Sequence, residues 1–201
     1  MRQGKLFVIS GPSGAGKGTI CNELIKTGNF ALSVSMTTRA PRTGEIPGKS
    51  YFFVTEEEFV RTIEEGGFLE HAQIYGNRYG TPKGPVLRQL AEGKDVILEI
   101  EMQGALSVKR SYPDAVLIFI LPPSLAVLRQ RLSGRGTETE EEIEKRSSQC
   151  LSEIRMINDY DYYVINDVLS DAVADALAIV RAEQLSTGAG CGELIRKYEE
   201  E

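Results

Sequence analysis

A glycine-rich segment near the start of the chain constrains the fold more than any other feature. It reads Gly11, Pro12, Ser13, Gly14, Ala15, Gly16, Lys17, Gly18 and Thr19. An apolar run, 5–10, precedes it, and a segment with helical spacing of apolar residues follows it. A strand, a glycine loop and a helix in this order form a cradle in which main-chain N–H groups, the helix dipole and a lysine bind phosphate. The alternative is a tight strand-to-helix turn that contains a lysine by chance.

The remaining apolar runs predict the fold class. Runs without polar alternation predict buried strands at 6–9, 96–100, 116–121 and 162–165. Helical patterns lie between and after them, at 18–27, 83–92, 103–111, 124–132, 140–157 and 170–185. Apolar strands separated by helices indicate a parallel sheet covered on both faces. We therefore predict a three-layer α/β fold.

Two stretches interrupt this alternation. Residues 31–81 contain an Arg/Thr/Pro/Gly-rich stretch, short strands at 51–54 and 68–74 and a helix near 55–65, which predicts a small mixed insertion. The glycine-rich residues 133–139 predict an exposed, mobile lid. We expect one domain over residues 1–201, divided into a core (1–33, 94–130 and 150–185), an insertion (34–93), a lid (131–149) and a tail (186–201).

Composition limits the partners and the location of the protein. The net charge of −6 argues against a broad nucleic-acid surface, so an anionic ligand must be met by local basic clusters. Three widely spaced cysteines are typical of a reducing compartment. The first strand leaves no room for a signal peptide, and no apolar run approaches the ~20 residues of a membrane span. We expect a cytoplasmic protein with neither nucleic-acid nor membrane partners.

A basic turn after the first strands suggests a second phosphate site. Arg39 and Arg42 lie three apart around a proline. Guanidinium groups match phosphate oxygens in pairs, and Tyr51 and Tyr79 each offer an O–H donor to the same phosphate. The alternative is a solvated basic turn in which Glu45 is a surface ion-pair partner, with two half-buried tyrosines nearby.

Carboxylates provide the next candidates. Glu70 lies among apolar neighbours, and its two oxygens match the adjacent N1–H and N2–H donors of guanine, which adenine lacks. Glu99 and Glu101 point to one face at the end of a predicted strand beside the phosphate loop, where acids hold magnesium-bound water or a ligand group. The alternatives are an exposed strand glutamate and two solvated strand-end acids.

Basic residues around the predicted lid complete the set. Arg135 and Arg146 are expected to bring positive charge over a transferring phosphoryl group, whereas Arg131 is interpreted as a helix-surface arginine. His71 is the only histidine, and no Ser/His/Asp set accompanies it. Transfer between phosphates uses an anionic oxygen as nucleophile, so no general base is required.

With these residues in place, the chain resembles the guanylate kinase family from about residue 4 to 185. Three motifs agree in order and spacing: 11–19, then 35–45 with Tyr51, then 68–81 with 99–104. The resemblance implies a P-loop NTPase fold with a central parallel sheet, a GMP-binding insertion and a small lid. It also implies magnesium-assisted, in-line phosphorylation of GMP by ATP, with ATP and Mg²⁺ as cofactors. We expect GMP, with dGMP as a further candidate acceptor, and a monomer or homodimer.

The resemblance also assigns roles to individual residues. ATP would be held by the loop residues 11–19, above all Lys17, with Asn166 where the family contacts adenine. The phosphate of GMP would be held by Arg39, Arg42, Tyr51 and Tyr79. Its guanine would be read by Ser35, Glu70, Thr81 and Glu101. The catalytic residues would be Lys17, Arg39, Arg42, Arg135 and Arg146.

Among the departures from the family, Gly18 bears most on the chemistry, and two rival hypotheses remain. Gly18 stands where the family more usually has Ser, so we expect magnesium to be held mainly by phosphates and water, with Thr19 as the candidate protein ligand. One rival is a catalytically inactive, guanylate-kinase-like protein-interaction module, against which the intact Gly11, Gly16 and Lys17 argue. The other is a kinase for a different monophosphate, which the pair Glu70 and Ser35 would distinguish.

Overall fold

Two sheets organise the computed structural model, which describes residues 3–74, 76–133, 150–187 and 191–200. The strands are β1 (Leu6–Ser10), β2 (Phe30–Leu32), β3 (Met36–Thr37), β4 (Phe52–Phe53), β5 (Phe68–Ile74), β6 (Asn77–Pro82), β7 (Asp95–Glu99), β8 (Val116–Leu121) and β9 (Tyr162–Ile165). The described helices are α1 (Lys17–Lys26), α2 (Glu56–Glu64), α3 (Lys83–Ala91), α4 (Met102–Ser111), α5 (Leu125–Ser133), α6 (Leu169–Leu185) and α7 (Cys191–Glu199).

The main sheet is parallel and has the order β2-β7-β1-β8-β9. The four strands predicted from apolar runs are all present, two with the predicted bounds and two within one residue of them. Strand β2 was not predicted, because it has only three residues and lies half-exposed at the edge of the sheet. This order places β1 in the centre of the sheet. Strands β2 and β7 lie on one side of β1, and β8 and β9 lie on the other.

The core lies on both faces of this sheet. Phe7 and Ile9 of β1 pack with α1 and α6, whereas Leu6 and Val8 pack with α3 and α4. These four side chains are at most 1% exposed. Burial on both faces explains the absence of polar alternation in β1, and it gives the predicted three layers. The predicted α/β fold class is confirmed.

The second sheet has the order β4-β3-β6-β5 and lies within residues 34–93, the range predicted as an insertion. Its β5–β6 hairpin is antiparallel, and a capping box between Thr55 and Glu58 begins α2. Strands β3 and β6 were not predicted: β3 has two residues, and β6 contains Gly80 and Pro82, which are rare in strands.

Part of the predicted lid region lies outside the described residues. This holds for 134–149, which contain Arg135 and Arg146, and for most of the helix predicted at 140–157. Of that helix, residues 150–154 are helical and lead into a 3-10 turn, Arg155–Asp159. Within the described ranges, every helix is too short or too polar to cross a lipid bilayer.

Candidate active site

The glycine loop joins the end of β1 to the start of α1, as the sequence predicts. Gly11 and Gly16 adopt φ angles of 139° and 90°, which other residues rarely adopt. Space also requires glycine at both positions. A Cβ at Gly11 would lie 2.3 Å from the carbonyl oxygen of Ile120, and one at Gly16 would lie 2.2 Å from Nδ2 of Asn166. The loop therefore packs tightly against the ends of β8 and β9.

Lys17 is the first residue of α1, and its side chain folds back over the loop. Its Nζ donates hydrogen bonds to the carbonyl oxygens of Gly11 at 2.7 Å and Pro12 at 3.1 Å. These bonds hold the ammonium group beside the loop amides and the positive end of the helix dipole. The ammonium group therefore lies at the loop that the sequence predicts to bind phosphate, and its contact with phosphate stays a prediction.

A cleft of about 190 Å³ connects the loop with the second sheet. Its lining residues are Lys17, Ser35, Tyr51, Glu70, Ala72, Ile74, Tyr79, Gly80, Glu99, Ile100 and Glu101. The cleft thus brings the loop lysine together with five of the residues predicted to bind the second nucleotide. Its apolar lining by Ala72, Ile74 and Ile100 was not predicted, because these residues look like ordinary strand residues in the sequence.

Glu70 is buried at the base of this cleft, with 8% of its surface exposed. The hydroxyl of Thr81 donates a 2.6 Å hydrogen bond to its Oε1. A Cβ at Gly104 would lie 3.0 Å from its Oε2, so Gly104 provides the space for this oxygen. Burial raises the pKa of Glu70, the Thr81 hydroxyl opposes this shift, and the charge of Glu101 adds to it. The alternative of an exposed strand glutamate is wrong.

Arg39 and the two predicted tyrosines form one cluster. The Nε of Arg39 donates to the Tyr79 hydroxyl at 3.2 Å, and its Cζ lies 5.5 Å from the centre of the Tyr51 ring. The rings of Tyr51 and Tyr79 meet edge to face at 6.0 Å. Arg42 is exposed on the same turn. Donors from three chain segments therefore converge where a second phosphate is predicted.

Glu99 ends β7 beside the loop, because β7 and β1 are neighbours and Glu99 pairs with Ile9. A Cβ at Gly18 would lie 3.3 Å from its Oε1, so the carboxylate lies against the start of α1. Glu99 is exposed as a residue, but neighbouring protein atoms shield its carboxyl group from water. This desolvation raises the pKa of Glu99, and the positive charge of Lys17 lowers it. Burial likewise raises the pKa of Glu101, again opposed by Lys17.

Asn166 connects the loop to the end of β9. Its side chain is buried, and Nδ2 donates to the carbonyl oxygen of Ala15 at 2.8 Å. Nη2 of Arg131 donates to the main-chain oxygen of Asn166 at 2.8 Å. Arg131 is half-buried, so its interpretation as a helix-surface arginine is wrong. The contact of Asn166 with adenine stays a prediction, and Thr19 is exposed in the first turn of α1.

Three residues near the site were missed or underrated by sequence reasoning. Glu45 was named only in the alternative interpretation, as a surface ion-pair partner, and Glu99 was left open between a ligand-binding acid and a solvated acid. The sequence signal for Glu99 was its position two residues before Glu101, which places both carboxylates on one face of the strand. Nothing in the sequence identified Gly104 as the residue that makes room for Glu70, because that contact depends on how α4 packs against β5.

Replacing Gly16 by Ala is expected to destabilise the loop. The positive φ costs about 1–3 kcal/mol for a residue with a side chain, and the contact with Asn166 adds to this. Gly28→Ala is the matched control, because Gly28 has a φ of 76° and nothing within 4 Å of an added Cβ. Thermal unfolding should give a larger loss for Gly16→Ala, together with loss of ATP binding. Equal losses would show that the contact with Asn166 is irrelevant.

Comparison of the sequence with known proteins identifies the family of the chain. Residues 3–183 match the family model described as guanylate kinase. The chain is 52% identical to the guanylate kinase of Clostridioides difficile over 202 aligned positions, which cover 100% of this chain and 98% of that protein. It is 56% identical to the guanylate kinase of Caldanaerobacter subterraneus, over 91% of this chain and 89% of the relative.

A solved structure shows the same fold. The crystal structure of guanylate kinase from Anaplasma phagocytophilum superposes with a TM-score of 0.75 at 35% identity. The match covers 92% of this chain and 89% of that one. The predicted resemblance is thereby confirmed across nearly the whole chain, from the glycine loop to α6. The chain belongs to the guanylate kinase family.

Proposed function

We propose that the protein transfers the γ-phosphoryl group of ATP to GMP, giving ADP and GDP. One observation carries this proposal beyond family membership: the phosphate-loop lysine, Lys17, and the buried carboxylate, Glu70, line the same cleft. The first binds the phosphates of a nucleoside triphosphate, and the second selects a base with paired donors. A cleft with both groups suits transfer between two nucleotides.

The transfer requires positioning and charge neutralisation more than bond-forming side chains. Lys17 and the loop amides hold the phosphates of ATP. Arg39, Arg42, Tyr51 and Tyr79 hold the phosphate of GMP, whose anionic oxygen attacks the γ-phosphorus in line. No proton has to be removed from this oxygen, which fits a cleft whose described lining residues include no histidine. Arg135 and Arg146 are proposed, from the sequence, to act on the transferring group.

Selection of guanine rests on Glu70 in this proposal. One carboxylate oxygen is held by Thr81, and the ionised group still offers acceptor positions to N1–H and N2–H of guanine. Ser35 and Glu101 line the same cleft and complete the base site. Adenine would leave the buried carboxylate without donors, which a site of this kind strongly disfavours.

Mg²⁺ fits this site as an ion held largely by the nucleotides. Within the described ranges, no group of three His, Cys, Asp or Glu side chains could hold a metal by itself. The carboxylate of Glu99 lies beside Gly18, and one carboxylate together with phosphate oxygens and water is an ordinary Mg²⁺ environment. We propose Glu99 and the hydroxyl of Thr19 as the protein groups nearest the ion. Bound Mg²⁺ would neutralise charge on the phosphates.

Location and assembly are proposals of the same kind. Cys21, Cys150 and Cys191 are free thiols, which supports a reducing, cytoplasmic location. We propose a monomer or homodimer that uses ATP and GMP, with dGMP as a further acceptor. Light scattering coupled to a sizing column would measure the assembly.

A panel of nucleoside monophosphates tests the function. With ATP and Mg²⁺, a coupled assay of ADP release should give high turnover with GMP, low turnover with IMP, which lacks the 2-amino group, and almost none with AMP. Equal rates with AMP and GMP would contradict guanine selection. GMP binding in calorimetry without turnover would instead favour the inactive interaction module.

A further inference from the structure

The carboxylate of Glu45 lies between the two arginines of the basic turn. Nη2 of Arg39 donates to its Oε1 at 2.7 Å, and the main-chain N–H of Arg42 donates to its Oε2 at 2.7 Å. The main-chain N–H of Glu45 donates in return to the carbonyl oxygen of Arg42 at 3.1 Å. The Arg39 and Glu45 side chains are only 13% and 21% exposed. Glu45 is therefore held by the backbone of the turn as well as by a guanidinium.

This contact is one of three that fix the guanidinium of Arg39. Its Nε donates to Tyr79, its Nη1 donates to the carbonyl oxygen of Ala40 at 2.6 Å, and its Nη2 donates to Glu45. The plane also lies against the Tyr51 ring. Among the contacts of the described residues, one N–H on each terminal nitrogen is left for a phosphate. An arginine fixed in this way loses little further side-chain entropy when it binds.

We propose that Glu45 is a positioning residue for the acceptor phosphate. Its carboxylate orients the remaining N–H groups of Arg39 toward the phosphate, and it holds the turn that carries Arg42 in place. This proposal rests on the proposed function, in which these arginines hold the phosphate of GMP. The alternative interpretation of the basic turn made Glu45 a surface ion-pair partner, and surface pairs contribute little to stability.

Glu45 is not a blocking anion that the phosphate must displace. To leave Arg39, the carboxylate would also have to break its bond to the Arg42 main chain. The Glu45 bond raises the pKa of Arg39, and the Arg39 bond, followed by the Arg42 N–H, lowers the pKa of Glu45. Both groups therefore stay ionised at neutral pH, and phosphate binds beside a pair that persists.

Charge and position predict opposite results when Glu45 is neutralised. Removing a negative charge next to two arginines should strengthen phosphate binding if only the net charge matters. If the orientation of the Arg39 guanidinium matters more, loss of that orientation should weaken phosphate binding. A glutamine at this site has one acceptor oxygen for two donors, so its NH₂ group would face the second of these N–H groups. The sign of the change therefore separates the two explanations.

The test compares Glu45→Gln with the wild-type protein and with Glu56→Gln. Glu56 pairs with Arg78 on the same second sheet but does not line the cleft, so it is the matched control. We expect Glu45→Gln to raise KM for GMP by about 10-fold or more, with KM for ATP within 2-fold. Calorimetry should show weaker GMP binding and unchanged guanosine binding, because guanosine lacks the phosphate. Glu56→Gln should match the wild-type protein.

Each other outcome overturns the proposal. Tighter GMP binding would identify Glu45 as a blocking anion, and an unchanged KM would identify a surface ion pair. Equal losses for GMP and guanosine, including those caused by unfolding, would identify a role in stability alone. A second variant tests the route through Arg39: Glu45→Gln should add little to the defect of Arg39→Lys. Absence of GMP turnover in the wild-type protein would contradict the proposed function instead.

Discussion

Replacing Glu70 by Gln is expected to lower kcat/KM for GMP by roughly 100-fold or more, with KM for ATP nearly unchanged. The amide has nearly the same shape and can still accept the bond from the Thr81 hydroxyl. It presents an NH₂ donor, however, where the N1–H and N2–H donors of guanine require an acceptor. The loss therefore combines a missing charge-assisted hydrogen bond with a buried donor facing a donor.

The pH dependence gives a second readout for the same variant. Burial raises the pKa of Glu70, so the protonated form becomes significant at a higher pH than for an ordinary glutamate. A protonated carboxyl group loses acceptor capacity, and kcat/KM for GMP should fall as the pH falls through this raised pKa. The Gln variant should lack that contribution to the acid limb, although those of Glu99 and Glu101 remain.

Stability should change in the opposite direction to activity. Because the folded state raises the pKa of Glu70, its contribution to stability is largest at low pH and is lost as the pH rises through the folded-state pKa. At neutral pH, Glu70 is thus a buried charge that costs stability, and Glu70→Gln should unfold at the same temperature as the wild-type protein or a higher one. Glu92→Gln, at an exposed pair with Lys94, is the control and should change neither property. A stable Glu70→Gln protein with full GMP activity would contradict guanine reading.

The part of the fold that was predicted from the sequence is the part with long, continuous signals. Strands such as β8 are buried on both faces, so each appears as an uninterrupted apolar run. Strands β2 and β3 have three and two residues and leave no such run. Their pairing depends on neighbours supplied by distant segments, since β2 pairs with β7 and β3 with β6.

The candidate site divides in the same way. Lys17 and Glu70 were predicted because their chemistry is evident from the flanking residues. The bond from Asn166 to Ala15 joins residues 151 positions apart, and no local pattern encodes it. The pairing of Arg39 with Glu45 was noticed as a charge pair, but its strength depends on the turn that offers the Arg42 N–H as a second donor. The three-dimensional structure thus changed the interpretation of residues that the sequence had already identified.

Gly18 shows how the sequence and the structure together bear on the proposed magnesium site. Its missing hydroxyl was recognised from the motif, and it raised the question of how magnesium is held. The structure places the carboxylate of Glu99 against the same position, 3.3 Å from where a Cβ would be. A Cβ at residue 18 would therefore make a tight contact with the end of the Glu99 side chain, which would have to shift by a few tenths of an ångström. Gly18 leaves room for the Glu99 carboxylate, which we propose as the group that replaces a hydroxyl ligand near the magnesium ion.

Replacing Lys17 by Ala is expected to lower kcat by about 100- to 1,000-fold, the usual effect of removing one preorganised group from a transition state with developing charge. The ammonium lies beside the loop amides, held by the carbonyl oxygens of Gly11 and Pro12, and no other described residue that lines the cleft is a lysine or arginine. Its loss removes the one lysine or arginine among the described lining residues, and with it the cation proposed to contact the phosphates of ATP. Steady-state kinetics with saturating ATP and GMP would measure the effect.

Lys26→Ala is the matched control for this substitution, because Lys26 ends the same helix and forms an exposed ion pair with Glu23. It should leave kcat unchanged, since exposed pairs contribute about 0–1 kcal/mol even to stability. GMP affinity, measured by calorimetry, should survive Lys17→Ala, because the residues proposed to hold GMP, Arg39 and Glu70, lie outside the glycine loop. A kcat within 3-fold of the wild-type value, or an equal loss of GMP affinity, would contradict the assignment of Lys17 to the transferring phosphate. Retained GMP affinity with the large loss of kcat would separate the two halves of the cleft, one that selects the acceptor and one that activates the donor.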